Sequence, residues 1–122
     1  MSKLGKFLKN FNRRKKISCI TAYDASMSKF LDSKGIDIIL VGDSLGQVIK
    51  GDKTTHDVNI NEIIYHARCV RTGINKSLLM VDLPVNTYDT KKQALHYSTK
   101  ILNETHADII KLEVNNNIDI VE

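Results

Sequence analysis

Three times in this chain a short aliphatic run leads to an acid: IILVGD at residues 38–43, LLMVD at 78–82 and DIIKLE at 108–113. Runs this short and this apolar suit strands buried on both faces. The stretches between them carry helical signals, and parallel strands need a crossover of that kind to reach one another. An earlier run, ISCITA at 17–22, opens the series and is bounded by Asp24.

The order of elements follows from local signals. After a first strand at 17–22, Asp24 caps a helix that Gly35 is expected to end in the left-handed conformation, with Met27, Phe30 and Leu31 as its buried stripe. The second strand covers 37–41. Past the GDSLG turn, the polar stretch QVIKGDKTTHDV exceeds the usual strand-to-helix connection, and loops of that length are commonly functional or disordered. Asn59 and Glu62 have capping-box spacing at the start of the next helix, and Gly73 is its expected stop. A third strand at 77–81, a helix capped by Thr90 with Gln93 and running to about Thr105, and a fourth strand at 109–112 complete the pattern.

Alternation of this kind predicts an α/β fold with parallel strands and right-handed crossovers. No Gly-x-Gly-x-x-Gly or Walker-type loop follows any strand, which removes the best support for a nucleotide-binding doubly wound sheet. A (β/α)8 barrel of the TIM type remains. A complete barrel takes about 250 residues, whereas the chain has 122. It is expected to form a single domain over 1–122 that supplies the first four β/α units: an amphipathic helix and basic linker at 1–16, then the units at 17–122.

The net charge of +4 is concentrated at the start, where Lys3, Lys6, Lys9, Arg13, Arg14, Lys15 and Lys16 cluster. The remainder carries a small acidic excess, so no nucleic-acid partner is expected. Leu4, Phe7, Leu8 and Phe11 recur at helical spacing and are expected to dock on the chain's own domain. No apolar stretch is long enough for a secretory signal or membrane span. Cys19 and Cys69 have no CxxC or ligand spacing and read as small core residues in a reducing, cytoplasmic setting. His56, His66, His96 and His106 show no metal spacing either, and surface or helix-packing positions are expected for them.

In parallel α/β folds the carboxyl ends of the strands face the ligand crevice. Asp43, Asp82 and Glu113 recur at intervals of one strand-plus-helix unit, so topology brings them to one end. Like charges gathered there need a cation or must hold protons. Hard oxygen donors without a nearby His or Cys favour Mg²⁺ over zinc. The plainer alternative is that each acid caps its own turn. Lys111 precedes Glu113 by two residues and shares its strand face. Two readings stand for it: a salt bridge to Glu113 or Asp108, or a cation that receives a substrate carboxylate.

ITAYD at 20–24, LVGDSLG at 40–46, IIYHARCVRTG at 63–73, DLP at 82–84 with Tyr88, and IKLE at 110–113 together resemble, in order and spacing, the ketopantoate hydroxymethyltransferase family. The resemblance runs from about residue 17 to 113. It implies a (β/α)8 barrel that uses Mg²⁺, takes 3-methyl-2-oxobutanoate and 5,10-methylenetetrahydrofolate, serves pantothenate biosynthesis and assembles as a homodecamer. Carried onto this chain, it implies Asp43 and Asp82 as metal ligands that also meet the substrate. It further implies Glu113 as a metal-side carboxylate acting through water, and Ser44 and Lys111 as contacts to the oxo acid. Tyr23 and Tyr88 match family positions, and core packing accounts for them equally well. Two departures stand out: Val114, Asn115 and Asn116 follow KLE where the family has glycines, and VNT follows DLP at 85–87.

The family's general-base glutamate falls beyond Glu122, so these residues alone are expected not to catalyse the reaction. Two alternatives accompany the enzyme reading. One is a noncatalytic half-barrel that acts only by association. The other is a different Mg²⁺-dependent barrel enzyme of 2-oxo acids, a lyase or mutase.

Overall fold

Successive strands of this chain pair in parallel, in the order in which they occur. The computed structural model describes residues 2–12, 16–114 and 118–121. It runs α1 (Lys3–Asn12), β1 (Cys19–Thr21), α2 (Ala25–Ser33), β2 (Ile38–Val41), α3 (Ile60–Gly73), β3 (Leu78–Asp82), α4 (Lys91–Thr105) and β4 (Ile109–Lys111). A π-helical turn, Gly46–Lys50, follows β2, and a 3-10 turn, Ile118–Ile120, follows β4. Sheet order is β1-β2-β3-β4, with Ile20 beside Ile39, Ile39 beside Leu79 and Val81 beside Ile110.

Each crossover steps in the same direction, and right-handed crossovers then place α2, α3 and α4 on one side of the sheet. Accordingly α2 packs on α3, and α3 on α4. A doubly wound sheet would reverse its order at a switch point. The steady progression here is that of a (β/α)8 barrel, of which the described residues supply three complete β/α units and a fourth strand that is followed by a 3-10 turn.

The core lies between the inner strands and the helices. Ile39, Val41, Leu79 and Val81 are fully buried with Ile63, Ala67, Val70 and Ile101. β1 is exposed along all three residues and β4 is half-buried. Burial on both faces therefore holds for β2 and β3, but β1 lacks it because no strand among the described residues lies on its far side. Cys19 is consequently exposed rather than a core residue, and Cys69 is half-buried.

β1 is shorter than the apolar run that announces it. Before it, Ser18 and Asp37 bond reciprocally: the Ser18 amide and hydroxyl donate to Asp37 Oδ2 at 3.0 and 2.9 Å, and the Asp37 amide donates to Ser18 Oγ at 3.0 Å. At the far end β3 continues through Asp82, one residue past its expected limit.

The caps behave as local chemistry dictates. Asp24 accepts from the Met27 amide at 2.7 Å, and both Asn59–Glu62 and Thr90–Gln93 form complete capping boxes. Gly35 takes φ +80° just past the end of α2. Gly73 ends α3 as expected, without a left-handed φ, and does something more. It is the last residue of α3 and buried, with Ile74 extended after it, and a Cβ there would overlap Ser28 Oγ and the Ala25 carbonyl. α2 and α3 touch backbone to backbone at this point.

That contact decides which face of α2 is inside. Its buried residues are Ser28 and Asp32, whereas Met27 and Phe30 are 49% and 56% exposed. Of the expected stripe only Leu31 packs on the core, and that partly. A close crossing needs small side chains on both helices, and Met27 or Phe30 would hold them apart. The Ser28 hydroxyl donates to Val70 O (3.2 Å) and Ala25 O (3.1 Å) within the contact.

Asp32 ties the end of α2 to the start of β3. Its Oδ1 accepts from the Lys76 amide (2.8 Å), the Ser77 amide (2.7 Å) and the Ser77 hydroxyl (2.9 Å). Burial works to raise its carboxyl pKa, but these donors outweigh it and hold the group below its ordinary value.

α1 docks only in part. Phe7 lines a cavity of about 380 Å³ with Ile36 and Leu78, while Leu4, Leu8 and Phe11 are exposed. Arg13, Arg14 and Lys15 of the basic linker, and Asn115 and Asn116, lie outside the described residues. Among the described residues no helix is long and apolar enough to cross a membrane.

Two stability outcomes follow from these contacts. Asp32→Ala strands the amides of Lys76 and Ser77 and should cost on the order of 3 kcal/mol at pH 7, read from urea denaturation midpoints. Because the folded carboxyl pKa is depressed, its contribution is present above the unfolded value of about 3.9 and is lost as pH falls through the folded one. The gap between parent and variant should therefore narrow in acid. Gly73→Ala forces α2 from α3 and should cost roughly 1–3 kcal/mol in the same assay.

Candidate functional site

At the carboxyl end of β2 the backbone turns sharply, with the Leu45 amide donating to Gly42 O (3.1 Å) and the Gly46 amide to Asp43 O (3.0 Å). This turn presents Asp43 and Ser44 over the end of the neighbouring strand. Gly42 makes the approach possible, since a Cβ there would stand 3.3 Å from Asp82 Oδ2 and 3.8 Å from Ser44 Oγ. One strand further, register sets Lys111 of β4 beside Asp82 of β3.

Lys111 Nζ bridges two acids, at 2.8 Å from Asp82 Oδ2 and 2.7 Å from Glu113 Oε1. Asp108, the other partner considered for Lys111, instead pairs with Arg71 at 3.0 Å. Asp82 is 4% exposed. Its second oxygen, Oδ1, is buried and has no hydrogen-bond partner among the described residues. An unpaired carboxylate oxygen in that setting is costly.

Electrostatics record the crowding. Burial pushes the Asp82 carboxyl up, Lys111 pulls it down, and Asp43 and Glu113 push it up again, leaving it above its usual range. Burial works to lower the Lys111 ammonium, but Asp82 and Glu113 outweigh it and hold the pKa above the ordinary lysine value. Tyr88 lies in the same field: burial first, then Glu113, Asp82 and Asp43, raise its phenol.

Tyr23 and Ser44 share a hydrogen bond of 2.6 Å between their hydroxyls. Tyr23 is buried, and its carbonyl lies 2.8 Å from His66 Nδ1 on α3. His66 thus has the helix-packing role expected of it, and its ring meets the edge of Tyr23 at 6.5 Å between centroids. No spacing in the sequence links Tyr23, Ser44 and His66. The pairing of β1 with β2 brings Tyr23 to Ser44, and the hydrogen bond from His66 ties α3 to the segment after β1.

The long segment after β2 is held down. A Cβ on Gly46 would come 2.8 Å from Val58 Cγ2. Lys50 forms ion pairs with Asp52 (3.2 Å, outside hydrogen-bond geometry) and with Glu62 at the start of α3 (3.0 Å). Val48 and Ile49 on this turn point to solvent.

Asp43, Ser44, Asp82 and Lys111 therefore meet at one end of the sheet, and Glu113 joins them through Lys111. No group of three His, Cys, Asp or Glu side chains among the described residues is arranged to hold a metal by itself. Mg²⁺ does not require one, because it commonly takes one or two carboxylates and fills its other positions with water and substrate oxygens. The orphaned Asp82 Oδ1, with the charge of Asp43 close enough to be felt at Asp82, fits such an ion: all donors are hard oxygens, and the buried anion lacks a counter-charge on that side.

Curated relatives include the 3-methyl-2-oxobutanoate hydroxymethyltransferases of Parabacteroides distasonis, Ralstonia nicotianae and Shewanella loihica. They are 47%, 46% and 48% identical over 102, 98 and 99 residues, covering 83%, 80% and 81% of this chain. The chain spans only 37%, 35% and 37% of those proteins. Among solved structures, a phosphonopyruvate hydrolase complex with oxalate and Mg²⁺ aligns with TM-score 0.77 at 12% identity, over 97% of this chain and 41% of that one. A 2,3-dimethylmalate lyase of the PEP mutase/isocitrate lyase superfamily aligns with TM-score 0.67 at 10% identity, over 98% and 42%. These last two bear on fold alone, and they agree with a partial (β/α)8 barrel. The family model for ketopantoate hydroxymethyltransferase matches residues 2–122, and the chain belongs to that family.

Proposed function

We propose that these residues form the metal and oxo-acid side of the site of a hydroxymethyltransferase, which transfers a one-carbon unit from 5,10-methylenetetrahydrofolate to 3-methyl-2-oxobutanoate and yields 2-dehydropantoate. The observation that carries this reading is the buried Oδ1 of Asp82, without a partner among the described residues, beside the Gly42-Asp43-Ser44 turn and with the Lys111 ammonium close by. The relatives' name, 3-methyl-2-oxobutanoate hydroxymethyltransferase, supports the choice of substrate in this reading.

In this reading Asp43 and Asp82 would hold Mg²⁺, with Glu113 as a further carboxylate on the metal side. A bound divalent cation would act as a Lewis acid on the keto oxygen and acidify the proton at C3. The phosphonopyruvate hydrolase neighbour holds oxalate with Mg²⁺, and oxalate offers the same pair of adjacent oxygens as a 2-oxo acid. Ser44, its hydroxyl oriented by Tyr23, and Lys111 hold the substrate carboxylate and fix its direction. The C3–H bond breaks, a C–C bond forms to the one-carbon unit, water supplies the hydroxyl, and tetrahydrofolate leaves. Binding and orientation fall to these residues, and the proton goes to a glutamate outside residues 1–122. A homodecamer in the cytoplasm belongs to the same proposal. A 2-oxo-acid lyase on the same frame is the competing reading, and it would need no folate.

Asp43→Asn and Asp82→Asn should each weaken metal-dependent binding of 3-methyl-2-oxobutanoate by about tenfold or more, ~1.4 kcal/mol, in calorimetric titrations. Unchanged titrations for both would sink the metal assignment. Exchange of the C3 proton with deuterated water, followed by NMR with Mg²⁺ and without folate, should proceed only at background rate for residues 1–122. Adding a separately made second half-barrel should restore it. Metal-dependent exchange by residues 1–122 alone, abolished in Asp43→Asn, would show that the base lies within them.

A further inference from the structure

We infer that Lys111 and the divalent cation compete for Asp82: the ammonium neutralises this carboxylate until the metal enters, and metal entry releases Lys111 to meet the substrate's carboxylate. The inference rests on the proposed metal site and adds an order of events to it.

The geometry gives Asp82 two claimants. Its Oδ2 is taken by Lys111 Nζ at 2.8 Å, while its Oδ1 is buried and unpaired among the described residues. A doubly charged ion bound at Oδ1 would share one carboxylate with an ammonium, and the repulsion between cations so close inside a protein is strong. Asp82 has little freedom to separate them. Its side chain is 5% exposed, and Gly42 packs against its Oδ2 side.

Lys111 can move where Asp82 cannot. Its side chain is 33% exposed, and its second partner, Glu113, is 68% exposed and 2.7 Å away. Released from Asp82, the ammonium keeps Glu113 as a tether and stays at the open end of the sheet. A 2-oxo acid that offered its keto oxygen and one carboxylate oxygen to the metal would leave its other carboxylate oxygen for this cation. Metal would then assist the acid twice, by chelation and by freeing Lys111. The residue acts as a counter-ion in one state and a substrate contact in the other.

Lys111→Met and Lys111→Gln separate the two roles, because both remove the charge and the second keeps a hydrogen-bonding head. Mn²⁺ serves as the probe, its free signal followed by EPR, first without any acid and then at saturating metal with 3-methyl-2-oxobutanoate added by calorimetry. Circular dichroism confirms folding, and the glutamine variant carries the test if the methionine one fails to fold. Metal binding without acid should tighten about tenfold, while acid binding at saturating metal should weaken about tenfold. Equal or weaker Mn²⁺ binding in the variants, with parent binding still abolished by Asp82→Asn, would overturn the competition and leave the metal site standing. Tighter metal with unchanged acid affinity would overturn the hand-over. Absence of Mn²⁺ binding in parent and variants alike would remove the metal site and this inference with it.

Discussion

Parallel pairing is the constraint on which the rest depends. Strands that all run the same way put their carboxyl ends together, so residues one βα unit apart become neighbours. Asp43, Asp82 and Lys111 meet for that reason alone: β2 lies beside β3, β3 beside β4, and the register sets Asp82 opposite Lys111. The same topology sends the helices to one side, where Gly73 and Ser28 let α2 and α3 close on each other. Fold and site are two consequences of one pairing pattern.

The cost of that convergence is visible at Asp82. A carboxylate pushed into the end of a parallel sheet loses its water and gains acidic neighbours, and both effects raise its pKa. Lys111 offsets one side of the carboxylate and leaves the other bare. A purely structural salt bridge would be expected to satisfy both oxygens. The half-satisfied state is instead suited to a group that exchanges partners during ligand binding, the kind of local strain that functional sites retain. By contrast Asp32, also buried, accepts three hydrogen bonds on its Oδ1 and holds helix to strand.

Much of this was legible residue by residue. The capping boxes at Asn59 and Thr90 form as read, because their partners stand three positions apart and need no tertiary help. The four strands fall where the aliphatic runs are, and the acids emerge at their ends. The stripe assigned to α2 was misplaced, because amphipathic spacing identifies an apolar face without saying what that face will meet. Met27 and Phe30 stay about half exposed, while Ser28 is buried because Gly73 reaches it from another helix. Gly73 is both the stop of its helix, as its place in the sequence indicates, and a contact between helices.

The sequence by itself determined the alternation of elements, the caps, the acidic strand ends and the family, because each depends on short-range pattern or on motifs kept in order. Tertiary structure alone decided three things: that Lys111 pairs with Asp82 as well as Glu113, that Tyr23 bonds Ser44 while resting on His66, and that one Asp82 oxygen has no partner among the described residues. Tyr23 and Ser44 are 21 residues apart, Asp82 and Lys111 29, and Tyr23 and His66 43. Contacts at such separations are set by which strands become neighbours and in what register, and no local preference of the chain encodes either.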